Sequence, residues 1–183
     1  MTPSQLNSLF DVPPAPTKRA KNVKRISDDA LLSLTALAQL VKAKPRALQL
    51  WTDAGALKPL DGTDRKGSGA WRLYGRGESE LAAILAEAHQ GFRLPVGMLA
   101  LLAGAVRQSQ EQPATTEAFE RARRGTHAVW LIGAPKGEDY AISYATGAVL
   151  SLAGNPGNGS ALRDCGAILV VNLTAALGRL NAS

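Results

Sequence analysis

The sequence predicts an α+β fold: a helical N-terminal domain carrying a short hairpin, then a small antiparallel β domain with flanking helices. Two observations carry this. Between residues 27 and 107 apolar side chains recur mostly at helical spacing, interrupted by one Gly-rich polar stretch. From Ala128 the pattern changes to strand-length apolar runs separated by turn residues. The polar segment Gln108–Thr116 holds Pro113 and reads as a linker. The expected organisation is a tail over 1–26, a first domain over 27–107, a linker over 108–116 and a second domain over 117–183.

The tail is rich in proline and ends in the cluster Lys18, Arg19, Lys21, Lys24 and Arg25, without apolar periodicity, so disorder is expected. Ser27 followed by Asp28 and Asp29 is a helix-start signal, with Leu31, Leu32 and Leu34 as anchors and Thr35 as a second cap. Leu37, Ala38, Leu40 and Val41 continue at helical spacing. Lys42-Ala43-Lys44-Pro45 breaks that helix, and Pro45 suits the first turn of another. The second helix runs over Arg46–Ala54 and stops at Gly55, a natural residue just past a helix end. Leu60–Ala70 has the composition of a hairpin loop, and Trp71–Tyr74 alternates as a short strand. Helices are expected over Glu78–Gln90, stopped by Gly91-Phe92, and over Leu94–Val106. Glu117–Arg124 reads as a short charged helix. Strands follow at Ala128–Ile132, Tyr140–Tyr144, Ala148–Leu152 and Ala167–Leu173, then a closing helix at Thr174–Leu180.

The net charge is +6, unevenly spread: +4 over residues 1–26, −2 over 27–32, +4 over 33–110 and 0 over 111–183. Such asymmetry suits a polyanion-facing first half and a neutral second half with another task. No apolar run reaches the ~18–20 residues of a membrane-spanning helix. The N-terminus lacks the apolar core of a secretory signal. One cysteine, Cys165, cannot form an internal disulfide, so a cytoplasmic, nucleoid-associated location is the expectation.

Residues 34–59 resemble the MerR family of winged helix-turn-helix regulators. Leu34-Thr35-Ala36-Leu37-Ala38 is similar to the family's I-G-E-L-A, and Lys44-Pro45-Arg46-Ala47-Leu48 to its S-P-R-T-L. Leu50-Trp51 stands where the family has two aromatics, and Ala54–Pro59 is similar to E-G-L-L-K-P. Trp71-Arg72-Leu73-Tyr74 resembles the wing's Y-R-L-Y, and Gly91, Phe92 and Leu94 a later G-F-S-L element. The resemblance covers about 70 residues, from about 33 to 105. It departs in three places: Gln49 stands where the family has arginine, the wing loop is longer, and no heptad pattern supplies the family's dimerisation coiled coil.

The resemblance implies a sequence-specific, double-stranded-DNA-binding transcriptional regulator. Lys44, Arg46 and Gln49 would lie at the groove-facing end of the recognition helix. Arg65 and Lys66 at the loop tip would meet the minor groove or flanking backbone, and Arg72 a phosphate. Tyr74 is expected to pack its ring and reach a phosphate with its hydroxyl. Trp51, Trp71, Leu37, Leu40, Leu48 and Leu57 are expected in the core. A homodimer formed through residues 117–183 would replace the missing coil. An excisionase-like or plasmid or phage DNA-architecture protein is the alternative, and a ligand-sensing or enzymatic second domain a third reading.

Enzymatic chemistry is not expected. His89, His127 and Cys165 do not form a metal-ligand spacing, so no metal or other cofactor is expected. Gly154–Gly159 lacks the Lys-Ser/Thr ending of a phosphate-binding loop and reads as a flexible loop. No Ser-His-Asp set or carboxylate pair is visible.

Overall fold

The computed structural model describes residues 30–63, 72–125, 127–136, 139–146 and 168–181. Over these the chain is mixed α+β, with six helices and two small antiparallel sheets. The elements are β1 (Leu32–Ser33), α1 (Leu34–Leu40), α2 (Pro45–Asp53), β2 (Leu73–Tyr74), α3 (Arg76–Phe92), α4 (Val96–Ser109), α5 (Pro113–Arg124), β3 (Val129–Lys136), β4 (Asp139–Thr146), β5 (Leu169–Asn172) and α6 (Leu173–Leu180). The basic tail, Ser27 to Asp29, Arg65, Lys66, Trp71, the expected strand at 148–152, Gly154–Gly159 and Cys165 lie outside the described residues.

The first helix begins later than its sequence suggests. Leu32 and Ser33 are extended and pair antiparallel with β2, Leu32 opposite Tyr74 and Ser33 opposite Leu73. The cap of α1 is Ser33, whose Oγ accepts the Ala36 amide at 3.3 Å and so satisfies one unpaired donor of the first turn. Pro45 opens α2, as expected. The helix closes at Gly55, whose φ of 78° is the left-handed conformation glycine adopts without a Cβ penalty. Ala56 N–H donates to the Trp51 carbonyl at 2.8 Å and Gly55 N–H to that of Thr52 at 3.0 Å, the double bond of a Schellman ending.

Gly91 and Phe92 do not stop α3. The helix runs through both and ends at Arg93, at φ 55°, with the Arg93 amide on the His89 carbonyl. The expected linker is also displaced. Helix α4 continues to Ser109, and Pro113 begins α5, leaving residues 110–112 between them. A proline breaks a helix from within but suits its first turn, and here it does the latter.

Strands β3, β4 and β5 form a sheet in the order β4-β3-β5, antiparallel throughout. The register sets Leu131 opposite Tyr144 on one side and Val171 on the other, and Gly133 opposite Ile142 and Leu169. This face is covered by helices of the same chain. Helices α5 and α6 pack against β3, α4 against β4, and α3 against β5. Asn172 caps α6, its Oδ1 accepting the Ala175 amide at 2.9 Å.

The two halves share one hydrophobic core, running from Leu37, Leu48, Trp51 and Tyr74 through Ile84, Leu85, Leu99 and Leu102 to Phe119, Leu131, Val171 and Leu177. A charged joint reinforces it. Glu80, 3% exposed, accepts Nε and Nη2 of Arg123 at 2.7 Å each and Nε of Arg76 at 3.2 Å. The hydrogen bond to Glu80 raises the Arg123 pKa further. A shared core makes each half dependent on the other. Residues 1–112 and 113–183, expressed separately, are expected to lack a cooperative thermal transition that the full chain should show. A fragment 113–183 that melts cooperatively at the full chain's temperature would contradict this.

Candidate nucleic-acid interface

Helix α2 has two unlike sides. Leu48, Trp51 and Thr52 are buried. Trp51 packs edge-on to the His89 ring, centroids 5.7 Å apart. The outward side carries Pro45, Arg46, Gln49, Leu50 and Asp53, and Lys44 sits exposed just before the first turn. Lys44, at the N-cap position, makes no side-chain capping bond. Pro45 has no N–H, and the Ala47 and Leu48 amides donate to the Lys44 carbonyl, so what this end of α2 offers an anion is chiefly its two exposed cations, Lys44 and Arg46, at the positive end of the helix.

Arg46 and Gln49 are already arranged. Nη1 of Arg46 donates to Oε1 of Gln49 at 3.0 Å. The Gln49 amide nitrogen is left as a donor, and its oxygen keeps a second lone pair. Arg72 does not stand free from its strand. Its Nη2 donates to Asp53 Oδ1 at 3.0 Å, which fixes the guanidinium against the outward side of α2.

Tyr74 corrects its expected role. The residue is fully buried, and its hydroxyl lies 2.8 Å from Thr52 Oγ1. Thr52 donates its own proton to the Leu48 carbonyl at 2.9 Å, so Tyr74 is the donor in the pair. Pairing with β1 turns this side chain inward, where ring and hydroxyl are both spent on packing α2; neither reaches a phosphate.

Two further cations belong to this region. Lys42 and Arg93 are exposed, and both have φ 55°. The Gln90 side chain donates to the Lys42 carbonyl at 3.1 Å, which brings the end of α3 beside the turn between α1 and α2. Sequence alone gives little signal for them, because a left-handed helix end is usually marked by Gly or Asn.

The far end of α2 is held by the rest of the molecule. Arg107 of α4 donates to the Ala56 carbonyl at 2.9 Å and to both Glu78 oxygens at 3.0 and 2.9 Å. Glu78 also accepts the Lys58 amide at 2.8 Å. Two residues beyond Arg107, Ser109 Oγ donates to the Val106 carbonyl and so receives the hydroxyl of Tyr144 on β4, at 2.9 Å. Burial pushes the Tyr144 phenol above its ordinary pKa. Tyr144 lines a groove of about 330 Å³ between α5 and β4, with Thr115, Ala118, Arg121 and Ile142. A continuous set of contacts thus joins that groove to the end of α2.

No helix of the described residues is long and apolar enough to cross a membrane. Neither a scan of protein-family models nor a search of curated proteins finds a match for this chain.

The inward Tyr74 hydroxyl makes a separable prediction. Tyr74→Phe removes one buried donor while Thr52 keeps its bond to Leu48, so stability should fall by about 1 kcal/mol in denaturant melts. The affinity of the folded protein for any nucleic acid should not change. A mutant of unaltered stability and weakened binding would show that the hydroxyl faces outward in solution.

Proposed function

We propose that the chain is a sequence-specific double-stranded-DNA-binding regulator of transcription, with α1 and α2 as a helix-turn-helix, α2 as its recognition helix and the segment between α2 and β2 as its wing. One observation carries this reading: Lys44, Arg46 and Gln49 lie together on the outward, N-terminal end of a helix whose other side is locked into the core. A recognition helix enters the major groove by that end. The resemblance to MerR-like regulators over residues 34–59 supports it, as does the positive charge concentrated in the first 110 residues. Arg72, braced on Asp53, is proposed to touch a phosphate, as are Arg65 and Lys66. The protein would act in the cytoplasm, on the nucleoid.

The test is binding to duplex DNA across a tenfold range of salt. Affinity should fall steeply, the log–log slope being about −0.9 for each phosphate neutralised. Replacing both Lys44 and Arg46 by alanine should flatten the slope by roughly 0.9 for each phosphate that is no longer neutralised. A slope near zero in the unmodified protein would refute the reading.

One such unit contacts too few base pairs for high specificity, and two-fold pairing is the usual remedy. The pairing surface is proposed to lie within residues 117–183, in the half of the chain without net charge (residues 111–183 sum to 0), which would leave the α2 surface clear. Sedimentation of the full chain should give a dimer at micromolar concentration and two chains per palindromic site. A monomer at every concentration, bound one to a site, would refute the pairing.

A further inference from the structure

Leu50 sits in the middle of the outward side of α2 and is 43% exposed. A single exposed leucine needs no special account. Its surroundings give this one a meaning. It follows Arg46 by four residues, so the two share a helix face. Its polar neighbours on that side are engaged: Arg46 with Gln49, and Asp53 with Arg72. Leu50 is thus an apolar point within a polar, partly cationic frame, on a helix whose other large apolar side chains, Leu48 and Trp51, are buried.

The edges of base pairs in the major groove offer hydrogen-bonding groups and one apolar group, the 5-methyl of thymine. A leucine held there can form no hydrogen bond, so any base it selects is selected by that methyl. Resting on the DNA-binding reading above, we infer that Leu50 is a specificity-determining residue that packs against a thymine 5-methyl, while Arg46 and Gln49 meet polar groups nearer the N-terminal end of the helix.

The experiment uses the full chain and a duplex selected by it from a random library. Each thymine is replaced in turn by deoxyuridine, which removes the methyl and leaves the pairing edge intact. For the unmodified protein, one or two positions should lose about fourfold in affinity, the effect of one methyl returned to water. Leu50→Ala should bind the thymine and deoxyuridine duplexes equally at those positions, and Leu50→Met should keep the preference. Thermal melts establish that both variants are folded. Uniform indifference of the unmodified protein to every replacement would overturn the inference while leaving DNA binding intact. So would a methyl preference that survives Leu50→Ala. Failure to recover any duplex would overturn the DNA-binding reading, and the inference with it.

Discussion

The architecture depends on one helix being covered on every side. Residues Ser79 to Ala86 of α3 are all buried, a run that no one-sided helix can show. Helices α1, α4 and α6 and strand β5 pack against it. Such crowding requires short side chains, and Ala82, Ala83, Ala86 and Ala88 supply them. Close-packed interiors tolerate added volume poorly, at roughly 1–3 kcal/mol for an extra methylene or two. The alanine content of this stretch is therefore a packing requirement. The same helix touches both halves of the described chain, α1 and α4 on the one hand and β5 and α6 on the other.

Charge reinforces that arrangement where hydrophobic contact ends. Glu80 is deep enough to need full pairing, and it has two arginines, one from its own helix and one from α5. Removing one partner of such a buried pair costs about 3–5 kcal/mol, more than the pair contributes over an apolar substitute. The joint therefore specifies how α5 sits on α3 as much as it stabilises the contact.

Much of this was legible in the sequence, for identifiable reasons. Pro45 and Gly55 carry local conformational requirements, and they bracket α2 as their chemistry dictates. The periodic runs of α4 and α6 were visible because helical spacing of apolar residues needs no distant partner, whereas the burial of α3 on all sides comes from the elements packed around it. What was hidden depends on distance. Leu32 and Ser33 are extended only because Leu73 and Tyr74 lie beside them, so Ser27 looked like the cap that Ser33 provides. The same pairing turned Tyr74 inward onto Thr52. Pro113 is compatible with a linker or with a first helical turn, and only the end of α4 at Ser109 decides between them. In the candidate interface, Lys44, Arg46 and Gln49 follow from the family resemblance, which sets them at the start of a recognition helix. Lys42 and Arg93 do not, since it is a Gln90 hydrogen bond across 48 residues that brings the end of α3 beside the Lys42 turn.

The clamp on the end of α2 joins two side chains to two main-chain groups. The carbonyl of Ala56 and the amide of Lys58 persist under almost any substitution, so the chemical demand falls on Glu78 and Arg107 alone. Drift at these two positions is linked. A change at either strands a half-buried charge, and only a matched change at the other restores the balance. Position 58, which lends nothing but its backbone here, is free to vary in charge and size. Among descendants of this chain the clamp would thus appear as a covarying pair, 78 with 107, beside a position whose conservation says nothing of its place in the structure.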